Sequence, residues 1–188
     1  MLDQLTVREA LSEEAVRKIV HEEVERAMQK DPAARKACII ASKGTLDWAY
    51  PPFILAAAAA AAGMDTSIFF TFYGLNVIKK GFPEHAKVSP TGNPAMPMPM
   101  PIADVFAGMP GMKAVATSMM KSMFKSKNVA SIGELIDVAR ESGVRLIACQ
   151  MTMDVFGYQP SDFIDGVEFG GAAAFLSEAR RAHVTLFV

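Results

Sequence analysis

Hydrophobic positions along the chain follow two alternating patterns. Short apolar runs, typical of buried parallel strands, occur at 37–42, 65–72, 144–149, 166–169 and 184–188. Helical stretches lie between them, and the clearest is 46–63, which holds seven consecutive alanines and ends in glycine. Because strands alternate with helices, the sequence predicts parallel pairing through right-handed crossovers. The expected fold is a three-layer α/β/α sandwich of about five mainly parallel strands.

Two segments fall outside this pattern. Residues 1–32 form an N-terminal arm with apolar residues at helical spacing, so an amphipathic helix is expected from about 12 to 30. Residues 82–112 hold seven of the eleven prolines, and a residue before proline is disfavoured in the α region, so this loop is predicted to be irregular. The expected organisation is a helical arm, 1–32, and an α/β domain, 33–188, that contains the Pro/Met-rich loop.

Caps and breaks in the pattern predict the remaining helices. Ser131 and Glu134 have capping-box spacing and start a helix that ends before Gly143. Further helical segments are expected at 112–127, 151–157, 160–164 and 172–182. Each of these lies between two predicted strands, as a crossover does in a parallel sheet.

Composition and charge exclude some classes of function. The net charge of -1 gives no concentrated basic surface for nucleic acid. The first 30 residues are charged throughout and lack the apolar core of a secretory signal. The two cysteines are therefore expected to be free thiols in a reducing cytoplasm, although a disulfide between Cys38 and Cys149 stays open at this point.

Cofactor and metal motifs are missing from the sequence. No G-x-G-x-x-G or G-x-x-x-x-G-K-[ST] loop is present, and the histidines lie at no ligand spacing from a cysteine or carboxylate. We therefore expect no cofactor and no bound metal. Peripheral membrane contact stays open for four apolar residues of the loop, Met98, Met100, Ile102 and Phe106.

Cys149 is the candidate reactive residue. It ends the predicted strand 144–149 and precedes a predicted helix, and reactive groups gather beyond the carboxyl ends of strands in an open parallel sheet. Unpaired amides and the dipole of the following helix favour the thiolate, which is the nucleophilic form. On position alone, a small buried hydrophobic residue is an equally good interpretation. Cys38, inside the first strand, is interpreted as structural.

Five further residues are candidates for a supporting role. Gln150 and Met151 follow the cysteine directly, and Asp154 lies about one helical turn beyond it. Lys43 and Thr45 follow the first strand and could supply a cation and a hydroxyl at the same edge of the sheet. A carboxylate as close as Asp154 would oppose thiolate formation unless it points outward, caps the helix or acts as an acid.

Four segments of the domain carry a recognisable combination of residues. They are ASKG at 41–44, AGM at 62–64, IFFTFYGL at 68–75 and ACQMTMD at 148–154. Together they resemble the DsrE/DsrF-like sulfur-relay family, in its second DsrE-type branch, whose members are often labelled peroxiredoxin-family or NAD(FAD)-dependent dehydrogenases. The resemblance extends from 37 to 188 and leaves the arm uncovered.

The resemblance implies a flavodoxin-like sheet of five parallel strands, homo-oligomers and sulfur transfer among thiol proteins. The family's sulfur-carrying cysteine matches Cys149, which would hold sulfane sulfur as a persulfide and pass it to an acceptor thiol without a cofactor. The implied partners are rhodanese-like sulfurtransferases and TusA-like carriers. Some relatives in this branch carry membrane segments, whereas the loop of this chain is not apolar enough to span a bilayer.

Two other functions stay open. The thirteen methionines concentrate between 96 and 153, which suits an adaptable surface on a non-enzymatic oligomeric scaffold as well as ordinary core packing. A nucleotide- or flavin-dependent oxidoreductase is the third interpretation. The sequence does not decide whether the chain is an enzyme, such as a sulfurtransferase, or a carrier alone.

Overall fold

The computed structural model describes residues 17–18, 21–22, 35–89 and 111–188. The chain divides into two units, Met1–Arg35 and Lys36–Val188. In the first unit the described residues between 17 and 22 are helical, and the rest of the arm helix predicted at 12–30 lies outside the described residues. The centre of the Pro/Met-rich loop, with its four apolar candidates for membrane contact, lies outside them as well.

The five strands of the second unit form one parallel sheet. They are β1 (Lys36–Ala41), β2 (Asp65–Phe70), β3 (Arg145–Cys149), β4 (Val167–Gly170) and β5 (Val184–Phe187). Their order is β4-β3-β2-β1-β5, and every neighbouring pair is parallel. The predicted three-layer α/β/α class with flavodoxin-like layers is confirmed. Within that class the first four strands follow one another across the sheet, unlike the 2-1-3-4-5 order of flavodoxin.

Six helices surround this sheet in the described part of the unit. They are α1 (Leu46–Ala61), α2 (Phe82–His85), α3 (Met112–Ser126), α4 (Ile132–Glu141), α5 (Gln150–Phe156) and α6 (Ala172–Ala179). Two 3-10 segments, Phe72–Ile78 and Pro160–Asp162, complete the connections. The predicted capping box is present, because Ser131 accepts from the Glu134 amide and the Glu134 carboxylate accepts from the Ser131 amide.

The larger core lies between one face of the sheet and the helices α1 and α4. Side chains alternate between the two faces along each strand, and Ile39, Ile68 and Leu146 point into this core. Helix α1 packs against α4 and against β1 and β2. Its alanines let the helix approach closely, while Phe53 fills the centre and meets Phe70 with ring centroids 5.8 Å apart.

The opposite face of the sheet carries a smaller core, which we call the α6 face. Its buried residues come from three strands and one helix: Cys38, Phe69, Ile147, Cys149 and Phe175. The ring of Phe175, on α6, stacks on Phe69 with centroids 4.9 Å apart. Among the described residues, α6 is the helix that contributes to this core. Within the part of the chain that the structure describes, one short helix therefore covers the face that holds both cysteines.

The backbones of the loops after β1 and β2 are in direct contact. The Gly74 amide donates a hydrogen bond of 3.1 Å to the carbonyl of Ser42. A Cβ at Gly74 would collide with the carbonyl oxygen of Ala41, and a Cβ at Gly44 would collide with that of Tyr73. Both positions need glycine, and the contact locks two adjacent carboxyl-end loops together.

Two local predictions are wrong. The segment 82–112 is not irregular throughout, because Phe82–His85 forms α2 with Pro83 in its first turn, where a missing N–H is harmless. Strand β2 ends at Phe70, two residues earlier than predicted, because the 3-10 segment begins at Phe72. Residue Phe72 has a φ of 48°, which no longer continues a strand.

We expect Gly74→Ala to lower the free energy of unfolding by about 2–3 kcal/mol, since the added methyl meets backbone that cannot move aside. Gly133→Ala is the matched control. Its Cβ would sit in ordinary contact with Pro83, 3.6 Å away, inside helix α4, so it should be neutral or stabilising. Urea unfolding of both variants measures the difference. Equal midpoints would contradict the close contact of the two loops.

Candidate functional site

The connections after β3 and β4 leave the sheet on opposite faces. The chain steps in one direction from β1 to β4 and then returns across the sheet to β5. Parallel crossovers are right-handed. When the chain reverses its direction across the sheet after β4, the β4–β5 connection must therefore lie on the other face. Met153 of α5 accordingly packs in the larger core, whereas Phe175 of α6 packs in the smaller one. A crevice between diverging loops is the usual ligand position in an open parallel sheet.

Cys149 lies at this switch point. It is the last residue of β3 and the N-cap of α5, and it pairs in register with Gly170, the last residue of β4. Its side chain belongs to the α6 face and the residue is 3% exposed. The predicted position at the carboxyl edge of the sheet is therefore observed, but the thiol is covered rather than open to solvent.

Two glycines flank Cys149 on the neighbouring strand end. A Cβ at Gly170 would lie 3.4 Å from Cγ2 of Ile147 and 3.8 Å from Cβ of Ala174, whereas a Cβ at Gly171 would meet nothing within 4 Å. Gly171 is the N-cap of α6. The first turns of α5 and α6 therefore both begin beside Cys149, and first-turn amides have no partner within their own helix.

Thr152 ties α5 to the loop after β2. Its hydroxyl lies 3.3 Å from the Thr71 hydroxyl and accepts a hydrogen bond of 3.3 Å from the Phe72 amide. Thr152 is 2% exposed, whereas Phe72 is half exposed and holds a left-handed backbone conformation that is uncommon for aromatic residues. The helix that begins at Cys149 thus fixes a strained residue on the adjacent loop.

Cys38 shares the buried cluster but lies out of bonding reach of Cys149. In the register of the sheet, Cys38 pairs with Ser67 on β2, and Ser67 pairs with Arg145, the first residue of β3. Cys38 therefore lies beside the start of β3, two strands away, whereas Cys149 is at its end. Strand spacing and rise then put the two Cα atoms about 16 Å apart, well beyond the roughly 7 Å that a disulfide spans. Both thiols are free, and the Ser67 hydroxyl donates to Cys38 Sγ. This fold excludes a Cys38–Cys149 disulfide.

Lys43 and Thr45 lie on the loop after β1, away from Cys149. Strand β2 separates β1 from β3, so their loops are about 10 Å apart. Nζ of Lys43 lies 3.1 Å from the centroid of the Trp48 ring, a cation–π contact. The Thr45 hydroxyl is buried and has no hydrogen-bond partner among the described residues.

The three supporting candidates on α5 are all exposed. Gln150 and Met151 occupy its first turn, and Asp154 follows about one turn later. Because Asp154 is in solvent, screening limits its effect on a nearby anion. Met151 is 60% exposed, and the ring of the equally exposed Tyr73 stacks on Phe156 with centroids 5.8 Å apart. The rim beside Cys149 is therefore largely apolar.

Neither a metal cluster nor a membrane span occurs in the described ranges. No group of three histidine, cysteine or acidic residues there could hold a metal ion. No helix in those ranges is long and apolar enough to cross a bilayer.

Comparisons with known proteins cover almost all of the second unit. A profile of the DsrE/DsrF/DrsH-like family matches residues 33–187. The chain belongs to the DsrE/DsrF/DrsH-like family. A family relative, the Sulfur carrier protein DsrE2 of Allochromatium vinosum, is 51% identical over 158 residues, which are 82% of this chain and 98% of the relative. The uncharacterized protein YrkE of Bacillus subtilis is 35% identical over 164 residues, 82% of this chain and 97% of its own length.

Two solved structures are also similar to this chain. The ychN protein from E. coli aligns with a TM-score of 0.49 and 12% identity, over 82% of this chain and 99% of that one. The protein MTH1491 from Methanobacterium thermoautotrophicum aligns with a TM-score of 0.42 and 11% identity, over 82% and 99%.

Three residues of the site were not predicted from the sequence. Gly170 and Gly171 follow a short strand and look like an ordinary tight turn, yet they lie at the switch point beside Cys149. Thr152 sits in the segment ACQMTMD, and its hydroxyl in an otherwise apolar helix start was the available signal. Neither signal reveals a site until the strand order is known.

We expect Thr152→Val to lower the free energy of unfolding by about 1–3 kcal/mol, because it leaves the Phe72 amide and the Thr71 hydroxyl without this partner. Thr152→Ser keeps the hydroxyl and should restore most of the loss. Denaturant unfolding measures both variants. A valine variant as stable as the wild type would show that these hydrogen bonds do not hold α5.

Proposed function

We propose that this chain is a sulfur carrier of a thiol relay, which holds sulfane sulfur as a persulfide on Cys149 and passes it to an acceptor thiol. The observation that carries the proposal is the position of Cys149 at the switch point, where α5 and α6 both begin. The name of the relative from Allochromatium vinosum, Sulfur carrier protein DsrE2, supports the same role.

The transfer needs two displacements at sulfur and no change in overall oxidation state. The Cys149 thiolate attacks the outer sulfur of a donor persulfide, the donor's S–S bond breaks, and the donor leaves as a thiolate. Cys149 then carries the persulfide. An acceptor thiolate attacks the outer sulfur of this persulfide and forms a bond to it. The bond between that sulfur and the Cys149 sulfur breaks, and Cys149 leaves as a thiolate. One thiol suffices, which fits the distance between Cys149 and Cys38.

The surroundings of Cys149 suit an anionic sulfur kept from water. In this proposal the hydrogen-bond donors are the first-turn amides of α5 and α6, whose N-caps are Cys149 and Gly171 and which have no partner within their own helix. The walls are apolar, formed by Phe69, Ile147 and Phe175. An enclosed apolar wall strengthens the interactions of the donors with the charge and limits side reactions of a persulfide.

The supporting residues take separate roles in this proposal. Gln150 and Met151 act through the backbone amides that follow the sulfur, and the exposed Met151 side chain meets the incoming partner. Exposed Asp154 lies too far into solvent to oppose the anion strongly. Exposed Lys43, about 10 Å away, acts on the partner rather than on the sulfur, whereas the buried hydroxyl of Thr45 contacts neither.

We also propose the wider setting of the relay. Rhodanese-like sulfurtransferases are the expected donors and TusA-like carriers the expected acceptors, in a reducing cytoplasm that keeps both thiols free. The carrier is expected to be a homo-oligomer. Strand β5 supports self-association, because it is an edge strand whose Val184, Leu186 and Phe187 are all exposed.

We expect incubation with glutathione persulfide to add the mass of one sulfur atom to the intact protein. Cys149→Ser should abolish the gain, because it removes the nucleophile, whereas the matched variant Cys38→Ser should retain it. Intact-protein mass spectrometry measures the change, and cyanide should reverse it by removing the outer sulfur. A gain that survives in Cys149→Ser, or no gain with any sulfane donor, would overturn the proposal and favour the scaffold.

We expect Phe187→Ser to weaken self-association, since it removes the most exposed apolar side chain of β5. Val115→Ser, an exposed apolar position on α3, is the control and should leave association unchanged. Sedimentation velocity reports the mass of each species. A wild-type protein that is monomeric at all concentrations would refute the oligomer.

A further inference from the structure

The burial of Cys149 poses a problem for the proposed function, on which this inference rests. A donor or acceptor must bring its own sulfur into line with Cys149, yet the residue is only 3% exposed. Among the described residues, the segment beside it on the α6 face is Gly170, Gly171 and the first turn of α6. This segment is therefore what has to move.

The first turn of α6 is held weakly. Gly171 at the N-cap has no side chain to cap the helix, and the next three residues, Ala172, Ala173 and Ala174, are all exposed. Exposed alanines bury little apolar surface, and first-turn amides make no hydrogen bond within the helix. A segment with few buried contacts opens at a small cost in free energy.

From Phe175 onward, α6 is held firmly. Phe175 is buried against Phe69, and Arg145 of β3 donates two hydrogen bonds of 2.8 and 3.0 Å to Glu178. The same guanidinium donates two more to Glu168 on β4, at 2.8 and 2.9 Å. The hydrogen bond from Arg145 lowers the pKa of Glu168 below its ordinary value, so the Arg145–Glu168 pair is intact at neutral pH and weakens only as the pH falls through that lowered range.

The two cysteines lie beside different parts of α6. Cys38 is level with Arg145, which holds Glu178, whereas Cys149 is level with Gly170, which lies next to Ala174 of the first turn. Opening of the first turn would therefore loosen the packing on the Cys149 side and leave the contacts beyond Phe175 in place. Loss of the whole helix would remove the cover from both cysteines, since both share a cluster with Phe175.

We propose that Gly170–Ala174 is a flap over Cys149, which opens at the glycines while Phe175 and Glu178 keep the rest of α6 on the sheet. The flap gives partners access to the sulfur and closes the crevice between transfers. The sequence alone would assign the glycines of this flap to an ordinary turn.

Alkylation of the native protein by iodoacetamide, followed by peptide mapping of each cysteine, tests the flap. Ala174→Gly weakens the first turn and should speed the alkylation of Cys149 about three- to fivefold. Gly171→Ser adds a capping hydroxyl in open space at a compatible backbone angle and should slow it about two- to threefold. The Cys38 rate should stay unchanged in both variants.

Ala114→Gly is the matched control. Ala114 is also exposed, also the third residue of its helix, and also preceded by a glycine N-cap, but on α3. It should leave both rates as in the wild type. If the alkylation rates of Cys149 and Cys38 changed in parallel, the whole helix or the whole domain would be opening. If the Cys149 rate were unchanged in both variants, the first turn of α6 would not cover it. Either result overturns the flap.

Alkylation needs no sulfane donor, so the test of the flap does not depend on the test of the relay, and either proposal can be refuted without the other. A selective effect at Cys149 in a protein that never gains sulfur would leave the flap standing and refute the relay. Sulfur loading with unaltered alkylation rates would do the reverse.

Discussion

The handedness of parallel crossovers is the constraint on which the rest of this structure depends. Strands β1 to β4 follow one another in one direction across the sheet, and the chain then returns to place β5 beside β1. A right-handed β4–β5 connection must therefore lie on the opposite face from the three connections before it. That change sends α5 and α6 to opposite faces from the neighbouring ends of β3 and β4. The last residue of β3 is Cys149, and the proposed sulfur transfer depends on this position.

The same constraint leaves the two faces unequally covered. Among the described residues, the helices of three connections pack on one face, where α1 and α4 build the larger core, and α6 packs on the other. Helix α6 has eight residues, too few to be stable by itself in water. It stays on the sheet through the Phe175–Phe69 stack and the Arg145–Glu178 pair, both of which follow its first three residues. Those first three residues, at the end beside Cys149, are exposed alanines.

Local pattern predicted most of the elements and the position of the candidate thiol. Apolar runs located all five strands, and the alanine run and the capping box located α1 and α4, because each of these signals is local in sequence. Cys149 could be assigned to a strand end on the same basis. The strand order could not be predicted, because it depends on which strands pair across long separations. For that reason the sequence grouped Lys43 and Thr45 with Cys149 at one edge without revealing that β2 lies between them.

Burial of the thiol was one of two interpretations that the sequence left open, and it restricts how the proposed relay could operate. An apolar run that ends in cysteine predicts where the residue lies along the strand but not what covers it, since the cover comes from α6, which follows later in the chain. A persulfide places its reactive sulfur one S–S bond, about 2 Å, beyond the Cys149 sulfur. In the proposed relay, loading would therefore have to reach the buried sulfur itself, whereas unloading would attack an atom farther from the backbone. If the first turn of α6 is the cover, loading would need its wider opening and would be the step that the cover restricts more strongly.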